Sequence, residues 1–379
     1  MDFDFSEEQE MLRDSVRKWV DRAYGVDRRR AITKAGGYSS EAWRELADLG
    51  LAGLAVPEEQ GGLGFGAVEA MVVMEELGRG LVLEPFAPVA LVAVELLKSG
   101  APAVAEPWLR AIAEGRDRVV LAHQERTARY RLSHVETKAT RSGHGFALRG
   151  TKIVVPAGAQ AAAFIVPARR TGAVDEAEGI GLYLVEKKSA GVIVRGYPTQ
   201  DGASAADLVL DGADAVELIA PGTAFDDLER ALDVGIAAIS AEAVGAMDRL
   251  VALTVEYMNT RKQFGVPIAT FQALRHRVAD VKMQLELARS MSYYATLKLG
   301  EPAEPRRRAL SQAKVQLGHS MRFVGQQCIQ LHGGIGVTDE YAAGHYFKRL
   351  TVLEMTYGDT LHHLGEVSSR MQDTAGVFA

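Results

Sequence analysis

The chain is poor in cysteine, in long apolar runs and in charge of one sign, and each shortage excludes a class of protein. Cysteine occurs once in 379 residues, at Cys328. That excludes a disulfide framework and a thiolate metal cluster, and it points to a reducing cytoplasm. No window of about 18 uncharged apolar residues exists, so no membrane span is expected. Lys+Arg number 43 against 49 Asp+Glu, a formal charge of −6 with no basic stripe. Nucleic-acid binding as the main function is therefore disfavoured, because phosphate neutralisation needs a concentrated positive surface. The start, Met1-Asp2-Phe3-Asp4-Phe5-Ser6-Glu7-Glu8, is acidic. It has neither the basic n-region nor the apolar h-region of a secretory leader. Familiar catalytic signatures are missing too: no GxxxxGK(S/T), no HExxH, no GxSxG, and no GxGxxG opening a helix after a strand. Nine histidines do not fall into metal-ligand spacing. The adjacent His362 and His363 would point about 100° apart on a helix, so no metal is expected.

What is present is the composition of an ordinary globular protein, 47% hydrophobic and 24% charged. The length exceeds what one core usually serves, so two or three domains are expected. Ser6 and Gln9 have capping-box spacing, and Met11, Leu12, Val16, Trp19 and Val20 follow at a helical period. A second helix is expected from Ser40 to Gly50, and helical pattern returns at residues 67–78 and 89–97. Residues 56–64, with one Pro and three Gly, read as a loop. Near residue 116 the texture changes to short runs rich in Val, Ile and Thr, at 118–123, 135–140, 146–148, 151–155, 164–168, 181–185, 192–195 and 207–210. Turn signals such as Ser142-Gly143-His144-Gly145 separate them, which is the pattern of a small β domain. After about residue 226 the helical period resumes. The expected class is α+β, mainly α: a helical domain over 1–115, a β-barrel-like domain over 116–225, and a four-helix bundle over 226–379.

Two clusters stand out chemically. One is Arg261-Lys262-Gln263-Phe264-Gly265, followed by Phe271-Gln272, at the end of a helix. The other is Gln330-Leu331-His332-Gly333-Gly334-Ile335-Gly336, also after a helix. Three glycines in four residues expose backbone N–H groups, and a nearby Arg adds a forked cation, which together suit a pyrophosphate. An ordinary helix C-cap beside a surface Arg explains the same residues.

With these motifs in order, the chain resembles the acyl-CoA dehydrogenase family over nearly its whole length. The matching stretches are Phe5-Ser6-Glu7-Glu8-Gln9, the loop at 57–64, Met74-Glu75-Glu76-Leu77-Gly78, the two clusters above and Phe271-Gln272. Within the family, Gly196-Tyr197-Pro198-Thr199-Gln200-Asp201-Gly202 and Tyr357-Gly358-Asp359 look like the small subunits of pimeloyl-CoA dehydrogenases, which work beside a second, related chain. The resemblance implies FAD as cofactor and an acyl-CoA as substrate. A glutamate removes the α proton while hydride leaves the β carbon for the flavin. It also implies an electron-transfer flavoprotein as acceptor.

Counting along the family pattern puts Tyr357 where that glutamate should stand, and a phenol with an ordinary pKa of about 10 is a poor base. The family's other base position falls on Gly235, with Ile236 where an Arg is usual. Glu242 and Asp359 are the carboxylates that could act as displaced bases. The resemblance further assigns Arg261, Gln263, Phe264, Gln272, Gln330, Gly333 and Gly334 to contacts that reach a neighbouring subunit's FAD. The family's own-flavin run, Thr-Glu-Pro-Gly-x-Gly-Ser, corresponds to residues 123–130, and its flavin-stacking Trp-x-Thr to Val154-Val155-Pro156. Neither is kept. The expected function is the non-base subunit of a heteromeric FAD-dependent acyl-CoA dehydrogenase, a heterotetramer in the manner the resemblance implies. A self-sufficient homo-oligomer using Glu242 or Asp359, and a flavin-free scaffold on the same fold, are the alternatives.

Overall fold

A computed structural model describes residues 5–143 and 145–371. Residues 1–4 of the acidic start and His144 of the expected turn lie outside them. The chain forms two compact units. One comprises the chain up to Arg29, Ala67–Val82 and everything from Ile236 on; the other comprises Arg30–Gly66 and Leu83–Gly235.

The first unit is helical. Helix α1 (Glu7–Ala23) opens on the expected capping box: Ser6 Oγ accepts from the Gln9 N–H, and Gln9 Oε1 accepts from the Ser6 N–H. Two orphan backbone donors are thereby satisfied. Two further helices, α2 (Val26–Lys34) and α3 (Ser40–Asp48), lie at or beyond the unit's edge in sequence, and α4 (Ala67–Arg79) returns to it. In the second unit a π-helical turn, Ala87–Ala93, runs into α5 (Val94–Ser99), and α6 (Pro102–Ala113) follows. Neither α2 nor α6 stood out in the sequence. The first is charge-rich with little apolar rhythm, and the second carries Pro107 inside it.

Seven strands form the sheet of the second unit: β1 (Val119–Leu121), β2 (Lys138–Ser142), β3 (Gly145–Pro156), β4 (Ala163–Arg169), β5 (Ile180–Glu186), β6 (Val192–Pro198) and β7 (Ser204–Ile219). Strands β2, β3, β7, β5 and β4 pair in turn, and β4 pairs back to β2, so the sheet closes into a barrel. Closure removes most free edges. The expected runs at 146–148 and 151–155 are one strand, bent by irregularities after Leu148 and Lys152. The run at 135–140 contributes strand only from Lys138, because Val135 and Thr137 are drawn into loop contacts instead. Arg169, 6% exposed, explains much of that. Its guanidinium donates to the carbonyls of Ser133, Val135, Thr171, Val174, Glu176 and Glu178, tying two loops together.

The long helix α7 (Ala224–Thr260) leads to a two-residue hairpin, β8 (Lys262–Gln263) with β9 (Val266–Pro267), then to α8 (Gln272–Lys298), α9 (Ala303–His332), α10 (Ala342–Met355) and α11 (Thr360–Ser369). Their core joins Val244, Met247, Leu250, Leu285, Leu317, Met321, Val324 and Leu350 with buried Cys328. Helices α4 and α7 cross at two reciprocal glycines. A Cβ on Gly78 would collide with the Glu242 carbonyl, and one on Gly245 with the Glu75 carbonyl. Both helices therefore carry a Glu-x-x-Gly whose glycine lets the other backbone in. The outcome is the expected fold class: helical N-terminal part, barrel-like sheet, helical C-terminal part.

Candidate functional site

The Arg261 cluster and the Gly333 cluster meet at one end of the helical unit. Helix α7 finishes with the Arg261 N–H on the Tyr257 carbonyl, and the hairpin turns at Phe264 and Gly265, φ +54° and +82°. Two successive positive φ values fit the tight hairpin turn, but an αL phenylalanine costs about 1–2 kcal/mol. Phe264 is 93% exposed and meets the Phe271 ring edge-on at 6.1 Å. Beneath the hairpin, Met258, Ile268 and Leu331 form a small core with Tyr257 and Leu274 packed on it. That core joins the end of α7 to the end of α9, so Arg261, Gln263, Phe264, Gln272, Gln330, Gly333 and Gly334, all exposed, share this end of the unit. Among the described residues, Arg261 has no acidic partner.

The Gly333 N–H is not free. It closes α9 by bonding to the Gln330 and Ile329 carbonyls, with φ +64° that favours glycine. Gly333 thus caps the helix, while Gly334 is exposed. Preceding it, His332 is 3% exposed and leans on the Tyr257 and Tyr341 rings at 4.8 and 5.0 Å. Its Nδ1 faces the Cys328 carbonyl at 2.8 Å, and its Nε2 is buried with no hydrogen-bond partner. Burial pushes its pKa below the ordinary value, against the Cys328 carbonyl. A neutral imidazole with an open acceptor at this end suits a polar ligand or water.

The positions matched to the family's own-flavin contacts sit in the second unit and have other employment. Glu125 accepts from Lys152 Nζ at 2.6 Å, from Thr137 Oγ1 and N–H, and from the Glu136 N–H. Lys152 is 0% exposed and Glu125 2%. Burial opposes charge on Glu125, but Lys152 and these donors outweigh it and hold the carboxyl below its usual range. Beside them, burial and then the Lys152 cation push His123 down to about 4. The following loop carries exposed Arg126, Arg129 and Arg131. It is held by Thr127 on Glu136, His134 on Asp175 at 2.7 Å, and Arg131 on Asp175. At the stacking position, Val154 takes φ +51° with its N–H on Asp207. A β-branched residue there is strained and offers no aromatic face. These residues do not fit a flavin ring.

At the expected base position stands Tyr357, with φ +59°, packed against the helical core. Burial first, then the Glu242 carboxylate, push its phenol far above the ordinary value, while Arg349 opposes them. Neither alternative carboxylate is idle. Glu242, 4% exposed, accepts from Arg349 Nε at 2.6 Å. Asp359 caps α11 by accepting from the His362 N–H at 2.8 Å. Gly235 and Ile236 are both buried on α7. Asp233, two residues earlier, is a further buried carboxylate; nothing in its local spacing marks it in the sequence.

The family model described as acyl-CoA dehydrogenase, N-terminal domain, matches residues 6–116, and that for the C-terminal domain matches residues 225–372. Acyl-CoA dehydrogenase IpdE2 of Mycolicibacterium smegmatis is 30% identical, over 91% of this chain and 92% of that protein. Among solved structures, a variant of the Tcur3481–Tcur3483 steroid ACAD is similar at TM-score 0.88 and 29% identity, covering 98% of this chain and 99% of that one. The ChsE4–ChsE5 complex of Mycobacterium tuberculosis is similar at TM-score 0.88 and 26% identity, covering 99% and 100%.

Proposed function

Because the chain belongs to the acyl-CoA dehydrogenase family, FAD-dependent oxidoreductases that act on acyl-CoA thioesters, we propose that it is the non-base subunit of a heteromeric member. In this reading it completes a related partner's FAD site and performs no proton abstraction of its own. The observation that carries the reading is the base position. Tyr357 holds a phenol driven away from ionisation, and the two nearby carboxylates, Glu242 and Asp359, are committed to Arg349 and to a helix cap. The same engagement disfavours a self-sufficient enzyme with a displaced base. The similarity to the ChsE4–ChsE5 complex supports a two-chain assembly. A pimeloyl-CoA or related dicarboxylyl thioester as substrate, and an electron-transfer flavoprotein as acceptor, are the finer parts of the proposal.

The division of labour follows from the residues. Bound FAD supplies the hydride acceptor. This chain contributes the exposed Arg261 guanidinium, whose fork can pair two phosphate oxygens of a dinucleotide. Gln272, Gln330 and Gly334 offer neutral polar groups at the same end, and Phe264 and Phe271 offer apolar cover that excludes water. General base work falls to a carboxylate of the partner.

Co-expression with the related partner tests this. The chain purified alone should carry little flavin and no dehydrogenase activity, and the co-purified pair should be yellow and active. A yellow, active chain without a partner overturns the reading.

A further inference from the structure

Helix α9 grips the segment that joins α10 to α11, and it does so from both sides. Lys314, 1% exposed, donates from Nζ to the carbonyls of Leu353 at 2.8 Å and Glu354 at 2.7 Å, in the last turn of α10. The Glu354 carboxylate in turn accepts from the Thr360 N–H and Oγ1, at the start of α11. Gly318, one turn beyond Lys314, leaves room for that threonine; a Cβ there would collide with Thr360 Oγ1. On the other side, His363 bridges Ser311 Oγ at 3.2 Å and the Tyr357 carbonyl at 3.0 Å. Ser311, Lys314 and Gly318 thus line one face of α9 along residues 356–359, where Tyr357 and Gly358 take φ +59° and +113°.

The chemistry of the Lys314 contact is unusual. Its hydrogen-bond partners are carbonyl oxygens, and among the described residues no carboxylate pairs with it. Two carbonyls use both hydrogens of a neutral amine and leave one hydrogen of an ammonium over. Burial pushes the amine down to about 7, against the pull of Glu354 and Asp359. The other charged and titratable groups around it are His362 and His363 on α11, with Arg307 and Arg322 on α9 acting on His363 and Glu354. His363 is itself held uncharged by burial, down to about 3.

We propose that Lys314 is a positioning residue for the 356–359 loop, holding it through two carbonyls as a neutral amine and loosening it on taking up a proton. The loop carries Tyr357, so the device sets the shape of the base position itself. It depends on this chain's packing and not on the subunit role proposed above. A charged Lys314 has one hydrogen more than the two carbonyls take up, and at 1% exposure that hydrogen does not reach bulk solvent while the segment is closed.

Hydrogen exchange read by mass spectrometry on the full-length chain between pH 6 and 8.5, corrected for intrinsic rates, tests this. Peptides spanning 354–363 should gain at least about fivefold protection as pH rises through 7, while sheet peptides stay flat. Lys314→Met should remove the response, and His362→Gln should leave it intact. Flat wild-type protection overturns the proposal, as does a response that survives Lys314→Met or vanishes in His362→Gln. The wild-type curve and His362→Gln decide the matter even where Lys314→Met does not fold.

Discussion

Replacing Glu75 by Gln should stabilise the protein at neutral and alkaline pH but not at acid pH. Glu75 lies on α4, 8% exposed, with Oε1 buried and unbonded and with Arg289 no nearer than 3.8 Å. Burial raises its pKa to about 7; Arg289 and Arg13 pull it down, and Glu76 and Asp248 add to the rise. The sign follows from linkage. Between the unfolded value near 4.5 and the folded value near 7, the native chain binds the extra proton, so unfolding free energy falls as pH rises across that window and levels off above it. A shift of this size is worth about 3 kcal/mol, at roughly 1.4 kcal/mol per pH unit. Glutamine keeps the volume and never ionises. Urea unfolding of both proteins from pH 4.5 to 8.5, followed by helical circular dichroism, should therefore give curves that diverge by about 3 kcal/mol between the ends of the range. The attraction to Arg289 acts only on the ionised carboxylate and is already contained in its pKa, so it adds nothing further to this divergence. Parallel profiles would refute the reasoning and mean that Glu75 is solvated or fully paired.

Three further outcomes are expected. Tyr357→Phe in the co-expressed complex should leave kcat within about twofold, since it removes at most one hydrogen bond worth about 1 kcal/mol; steady-state kinetics at matched FAD content would show a catalytic tyrosine as a loss of turnover. Arg261→Ala should weaken FAD retention by the complex, and Arg261→Lys should restore it only partly because the fork is lost; unchanged flavin affinity by fluorescence titration for both variants would remove Arg261 from the site. Glu125→Gln should cost about 3–5 kcal/mol by leaving Lys152 buried without a counter-charge, and a thermal melt indistinguishable from wild type would contradict that.

Sequence spacing carried the features that depend on near neighbours. The Ser6–Gln9 box, the switch from helical to alternating pattern near residue 116, and the end of α7 before Arg261 were all legible, because caps, periods and turn residues act over a few positions. What depended on tertiary closure was not. Nothing around residues 163–169 and 180–186 announces that β4 pairs with both β2 and β5, and the bends that merge two expected runs into β3 arise from its partner β7. The site divided along the same line. The clustered motifs at 261–272 and 330–336 are visible as strings, and the fold brings them to one end of the helical unit. Lys314, Arg169, Lys152 and Glu75 look like ordinary surface charges in sequence; only burial turns them into a loop grip, a loop tie, a counter-charge and a titrating carboxyl.

The crossing of α4 and α7 bears on the order in which the protein is made. Gly78 and Glu75 leave the ribosome long before Glu242 and Gly245, the partners into which they mesh. Until α7 is complete, α1 and α4 have no seat for their inward faces, and the helical unit cannot close. Every segment of the sheet unit, from Arg30 to Gly235, has by then been synthesised. The barrel is thus free to fold while the first helices wait, and a nascent chain halted before residue 236 should expose α4 to a chaperone or a protease. The two glycines set a sequence in time as well as a fit in space.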